Sequence, residues 1–277
     1  MNWRPLKQTY QKRGAFLYAF FLVFLVPLCL PFVWHSFKTD SVRSLDYKLL
    51  LIFYSLSLLG ITLGYHRLAT HRGFTTYPWI KRILLIFGAM AWQGPPAAWA
   101  SLHIQHHANS DRLRDPHSPV THSFWYAHCG WIFNHYRPNY RKYGKWLLKD
   151  KDVHFVSRYY GVISIGSFML PLFIGGWQAW LWAGWFRLFL ASHATWSVNS
   201  LCHFAGSRLY PNVRDNSRNR FSIAILTFGE GWHNNHHQFL RNPKLGHRWY
   251  QIDMGYWVLN FMRRCRLAWD LKIPSAQ

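Results

Sequence analysis

The stretch ILLIFGAMAWQGPPAAWASL, Ile83–Leu102, decides how this chain meets a membrane. It carries no charge over twenty residues, and a helix of that length reaches about 30 Å, enough to cross a bilayer. Gly94-Pro95-Pro96 interrupts it, however, and no straight helix tolerates that sequence. His66 and His71 precede the stretch and His103, His106 and His107 follow it. Were it to cross, these two groups would lie on opposite faces of the membrane. If the histidines converge, the stretch must dip in and return or lie flat at the interface, where backbone buried in protein is tolerated.

Convergence is what the histidine spacing argues for. His103-Ile104-Gln105-His106-His107 and Gly229-Glu230-Gly231-Trp232-His233-Asn234-Asn235-His236-His237 both place imidazoles at i, i+3 and i+4. Such positions lie within roughly 100° of one another on a helix, so each triplet is expected to present three nitrogens to one side. With His66 and His71 the total is eight imidazoles, too many for one ion with about four to six donors and a natural count for two. Imidazole without thiolate suits iron, copper, zinc or nickel, and the spacing does not choose among them. His66 and His71, five residues apart, sit about 140° apart on an ideal α-helix. Either the helix ends between them or each serves a different ion. Asn199 and His203, at i and i+4, could complete the cluster from one helix face. His117, His122, His128, His135 and His154 lack ligand-like spacing and read as structural or surface residues.

Uncharged runs at 15–34, 49–65, 83–102 and 159–186 mark an integral membrane protein. The formal charge of +22 is segregated from them: nine Lys or Arg fall between His103 and Arg158, and eleven between His203 and the C-terminus. That bias reads as a cytoplasmic face against anionic lipid, and no nucleic-acid-binding motif offers another reading. Cys29, Cys129, Cys202 and Cys265 stand far apart and demand no disulfide. Arg4, Lys7, Lys12 and Arg13 place the N-terminus inside, and the absence of alanine from Phe20 to Leu68 leaves no A-x-A cleavage site, so the first apolar run is expected to be retained.

The expected architecture is all-α, a single domain over 1–277 with four transmembrane helices at about 15–34, 49–65, 159–174 and 178–200. A cytoplasmic helical cap would comprise 66–158 and 201–277. Pro27 and Pro31 should kink the first span, and Gly175-Gly176 should turn the last apolar run into a hairpin. Arg187 falls inside a span, where it must face protein or water, either in an ion pair or in support of the polar site.

With these residues in view, the chain resembles the membrane fatty acyl desaturases, particularly the delta-9 type that includes acyl-CoA desaturases and bacterial acyl-lipid enzymes. The matching boxes are Gly64-Tyr65-His66 to His71-Arg72, His103 to His107 followed by Asp115-Pro116-His117, and Gly229 to His237, and the resemblance runs from about 49 to 257. It implies two irons ligated by His66, His71, His103, His106, His107, His203, His233, His236 and His237, with Asn199 holding a metal-bound water. It also assigns Gln93, Trp99 and Thr195 to the bend of an acyl tunnel. Ser101 and Leu102 stand where animal acyl-CoA enzymes carry a basic and an acidic residue, so the acyl carrier stays open between CoA, lipid and another carrier. No His-Pro-Gly-Gly haem sequence occurs, and electrons are expected from a separate donor, a ferredoxin or a cytochrome b5 type with its reductase. The bacterial relatives imply an inner-membrane location.

The implied reaction takes a saturated fatty acyl chain, O2 and two electrons, removes hydrogen from adjacent carbons and leaves a cis alkene and water. An unactivated methylene has no acidic proton and no leaving group, so a redox metal is required. A membrane hydroxylase with a similar cluster is the enzyme rival, separated by product analysis. A metal or haem transporter is the other, but its ligands should line a path at mid-membrane depth, whereas these histidines sit at span ends.

Overall fold

The computed structural model describes residues 8–134 and 138–275. Within them, three helices are long and apolar enough to cross a membrane: Gly14–Lys38, Ser44–Thr70 and Tyr160–Phe204. Their outer faces leave Phe16, Leu28, Phe32, Leu51, Val162 and Phe173 exposed, the apolar surface that lipid would cover. Around Pro27 the first helix tightens to a 3-10 turn, Val26–Cys29, before resuming as Leu30–Lys38.

The third helix is folded back on itself. Gly176 adopts φ 74° and ψ −164°, a conformation open to glycine, and breaks the helical path. Phe168 then packs against Trp180 and Trp185, with ring centroids 5.2 and 5.1 Å apart. On a straight helix Phe168 and Trp185 would stand about 25 Å apart. The hairpin expected at Gly175-Gly176 is therefore present, its first leg starting at Tyr160 and its second ending at Phe204.

Ile83–Leu102 does not traverse. The chain forms a helix over Pro78–Ala89, turns, and returns as Pro96–Asn109. Proline opens both helices, where its missing N–H is an orphan in any case. The outgoing helix lies almost backbone to backbone against Ser44–Thr70: a Cβ on Gly60 would stand 1.9 Å from the amide nitrogen of Gly88. Tyr65, Leu85, Ala89, Ala97 and Ala100 share one buried cluster around the hairpin.

A turn buried among apolar helices must have its backbone polar groups met by side chains. Arg187 Nη1 donates to the Met90 carbonyl at 2.6 Å, Ser164 Oγ to Ala89 at 3.0 Å and Tyr65 Oη to Gly94 at 3.2 Å. The Tyr18 hydroxyl donates to the Trp92 carbonyl, and the Gly94 amide donates to Tyr160 Oη at 3.0 Å. Every long helix thus contributes to the turn. Arg187 is wholly buried, and among the described residues no carboxylate lies within ion-pair reach of it. Of the two alternatives for Arg187, an ion pair is not found among the described residues, and its other bonds go to Ala183 O and Ser57 Oγ.

Short helices overlie the histidine-bearing ends, among them Lys151–Arg158, Phe221–Leu226, His233–Gln238 and Met254–Arg264. Thr75–Thr76 pairs antiparallel with Ala268–Trp269, tying the C-terminal segment to the region just after the second long helix, and isolated bridges join Ser207 to Asn219 and Asn219 to Trp232.

Candidate metal centre

His66 and His71 come together through an unusual winding. Gly60–Thr70 is a π-helix, and the His71 amide donates to the His66 carbonyl, i to i−5, at 3.0 Å. Residues five apart then stack instead of diverging, and the two rings lie 4.7 Å apart. The helix ends at Thr70, between the two as expected, yet both histidines serve the same cluster.

The nine expected imidazoles divide into two sets. His66, His71, His103, His107 and His236 form one, and His106, His203, His233 and His237 the other. The expectation that each triplet faces one way is corrected. The i, i+4 pairs His103/His107 and His233/His237 each serve one set, and the i+3 residues His106 and His236 turn to the opposite set. Positions i+3 and i+4 differ by about 100° around a helix, which is enough to separate them. Each triplet therefore links both sets.

Within the first set His66 Nε2 and His236 Nε2 are 3.0 Å apart, and His107 Nε2 lies 2.9 Å from both His103 Nε2 and His236 Nε2. In the second, His233 Nε2 lies 3.0 Å from His203 Nε2 and 3.1 Å from His237 Nε2. Neighbouring donors at right angles on an ion with bonds of about 2.1 Å stand about 3.0 Å apart, and tetrahedral ones about 3.4 Å. His71 Nε2 is buried with no hydrogen-bond partner among the described residues, an arrangement that leaves a nitrogen orphaned unless an ion takes it. In the second set His106 Nε2 and His237 Nε2 are 3.4 Å apart, so the spacings span both values, and the donor sets fit two metal ions without selecting the metal.

Carboxylates stand behind four of these rings. His106 Nδ1 is 2.9 Å from Asp115, His203 Nδ1 3.0 Å from Asp111, His237 Nδ1 2.6 Å from Asp215 and His66 Nδ1 2.6 Å from Glu230. On His106, His203 and His237 the carboxylate hydrogen bond at Nδ1 fixes the tautomer and turns the Nε2 lone pair inward. Burial drives His71, His103, His107, His233 and His236 well below the usual imidazole pKa, and neighbouring imidazoles add to it. Burial also brings His237 down to about 4 against the pull of Asp215. Burial pulls His106 down, but Asp115, with Asp111 and Asp215 nearby, raises it overall. Burial pushes Asp111, Asp115, Asp215 and Glu230 upward, but their contacts to imidazoles leave all four below the usual carboxylate range.

Spacing reasoning missed Glu230, Asp111 and Asp215 and gave Asp115 no role beyond its place after the second box. Their signal lay in scarcity. The chain has ten acidic residues against 32 basic ones, and these four flank the histidine boxes or the loop after His203.

A cavity of about 260 Å³ adjoins the first set and is lined by Gln93, Trp99, His103, Thr195 and Asn199, which brings the expected tunnel residues to one wall. Trp99 stacks on His103 with centroids 4.9 Å apart and planes 16° from parallel. Tyr18, Trp131 and Ile132 line it too and were not anticipated. His117 is more involved than expected: it is buried, stacks on His106 at 4.5 Å and lines the same cavity. His128 lies outside both sets, between His193 Nδ1 at 3.0 Å and Ser200 Oγ at 2.9 Å. His122 stacks on Tyr126, and His135 falls outside the described residues.

Membrane-length helices ending in a histidine cage able to hold metal, beside an apolar cavity, define a class of membrane protein. Over residues 47–265 the chain matches the fatty acid desaturase family, and it belongs to that family. It is 37% identical over 229 residues to the sn-1 stearoyl-lipid 9-desaturase of Anabaena variabilis, covering 82% of this chain and 83% of that one. It is 34% identical over 270 residues to Delta-9 acyl-lipid desaturase 1 of Arabidopsis thaliana, covering 95% and 83%. A hex-5-enoyl-[acyl-carrier protein] acetylenase of Moorena producens is 36% identical over 256 residues, covering 85% and 79%. This chain is a fatty acyl desaturase.

Proposed function

We propose that the enzyme inserts a cis double bond at the delta-9 position of a saturated acyl chain carried on a membrane lipid. Two irons would be held by the five-histidine and four-histidine sets. The observation that carries this reading is the shared wall: His103 belongs to one set, lines the apolar cavity and is stacked against Trp99. Bound there, the irons would supply, with O2 and two electrons, the oxidising power that an unactivated C–H bond requires.

The chain's own residues then act by position. Gln93, Trp99 and Thr195 would bend the acyl chain so that one pair of carbons faces the cage, since a saturated chain offers only its length as a handle. Asn199, one turn before His203, would hold a water at the set with four imidazoles. Asp111, Asp115, Asp215 and Glu230 would keep their imidazoles oriented while the ions change charge.

Lipid is favoured as carrier by the names of several relatives and by the residues at this cavity. Leu102 lines it and Ser101 is fully buried, so neither offers a charge to a polyanionic carrier. Counting the two legs of Tyr160–Phe204 separately gives four spans, with the cage and cap on the cytoplasmic side. Exposed Arg112, Arg114, Arg214, Arg241 and Arg248 lie on the loops around the cage, and no carboxylate pairs with them among the described residues. They suit an acidic electron carrier of the ferredoxin or cytochrome b5 type.

Expression in a host lacking delta-9 unsaturates, followed by lipid analysis with the carrier pools separated, tests the reading. New delta-9 unsaturates should appear first in the lipid pool. Their first appearance on CoA or a carrier protein would overturn the lipid assignment, and a hydroxylated product would overturn desaturation.

A further inference from the structure

The two histidine sets stand in different electrostatic surroundings. Three of the four rings in the His106, His203, His233, His237 set are backed by carboxylates, Asp115, Asp111 and Asp215. No Lys or Arg lies within ion-pair distance of these three among the described residues. Their remaining partners are neutral: the Ser118 hydroxyl and Asn216 amide on Asp111, the Asp111 and His117 amides on Asp115, and the Ser217 amide on Asp215.

The five-histidine set has one such carboxylate, Glu230 behind His66. That charge is shared, because Glu230 Oε1 also lies 3.5 Å from Arg67 Nε, and Arg67 in turn bonds Asp253 at 2.9 Å. Counting Arg67 with both of its acids leaves about one net negative charge directly behind this set, against about three behind the other, whose neighbours Arg112, Arg114 and Arg214 are exposed and screened by solvent. A charge gained by an ion in a water-poor interior responds strongly to such a difference.

Resting on the two-iron reading above, we infer that the two ions have unequal reduction potentials, that of the four-histidine set being the lower, and that Asp111, Asp115 and Asp215 set the difference. With two ions bound, the five-histidine set would be the one to take up an electron first, and Asp111, Asp115 and Asp215 would favour the oxidised state at the four-histidine set when one electron has been added. These aspartates are positioning residues, since they act through the imidazoles.

The test is a reductive titration of the full-length, iron-loaded protein with dithionite and mediators, followed by Mössbauer and electron paramagnetic resonance spectroscopy. Two resolved steps are expected, with one trapped ferric ion at the midpoint. Asp111→Asn and Asp215→Asn should each raise the lower couple and leave the upper one in place, and Glu230→Gln should raise only the upper one. If an aspartate variant sheds one ion, the surviving couple should be the upper one of the unsubstituted protein, and if Glu230→Gln sheds one, it should be the lower; the reverse in either case contradicts the inference. A single step with equivalent ions, or equal shifts of both couples in the aspartate variants, overturns it. An unsubstituted protein that fails to bind two irons defeats the underlying reading instead, and iron analysis before the titration separates that failure from this one.

Discussion

The guanidinium of Arg187 holds the carbonyl of Met90 across 2.6 Å, joining a membrane-length helix to the turn of the returning hairpin. Removing it leaves that buried carbonyl and Ser57 Oγ without this donor. Arg187→Met should lower stability by about 1–3 kcal/mol, the range for a buried polar group that loses its partner. Arg187→Lys, which keeps a donor, should recover part of the loss. Thermal unfolding of the purified protein in detergent measures both, and an unchanged midpoint for Arg187→Met would contradict this role.

Trp99 stands between the cavity and His103. Trp99→Ala should open the bend and change the double-bond position or chain-length preference, with iron content close to normal because no ligand is removed. Fatty acid profiling by mass spectrometry beside metal analysis checks this. An unaltered product profile would remove Trp99 from the tunnel.

Stripped of metal, the protein should lose stability as pH falls from neutrality towards 5. His71, His103, His107, His233 and His236 have folded-state values well below the ordinary 6.5, and His237 lies at about 4. Below about pH 6.5 the unfolded chain binds protons at these rings and the folded chain does not, so protonation favours unfolding. The depressed carboxylates contribute stability above their unfolded values near 4 and lose it only at more acidic pH, so they do not reverse the trend. Melting curves of the chelator-treated protein across this window should fall with pH; a flat profile argues against buried neutral imidazoles.

Arg114 and Arg214 are exposed beside Asp115 and Asp215. The double change Arg114→Glu, Arg214→Glu should raise the KM for an acidic electron carrier about tenfold or more at low salt. The product profile should stay the same, and the gap between variant and unsubstituted protein should narrow as salt screens the charges. An equal loss with dithionite as reductant would place the defect in the site and not in docking.

Much of this arrangement was legible because spacing and charge are local. Gly94-Pro95-Pro96 announced a break, Gly175-Gly176 a turn, and the histidine boxes a cluster. What stayed hidden depends on winding or on distant partners. A π-helix has no spacing signature, so His66 and His71 appeared to diverge when they meet. The triplets looked one-sided because i, i+3 and i+4 fall within about 100° on a helix, whereas the fold sends i+3 to a different set from i and i+4. Asp215 and Arg187 could not be assigned partners before the fold brought His237 and Met90 to them.

Iron bound per chain, measured on the purified protein and on His236→Ala, bears most directly on the two-set cage. Two irons per chain are expected in the unsubstituted protein, with a lowered count and no desaturation in the variant. Full iron and full turnover in His236→Ala, or an unsubstituted protein that turns over with one ion or none, would contradict it.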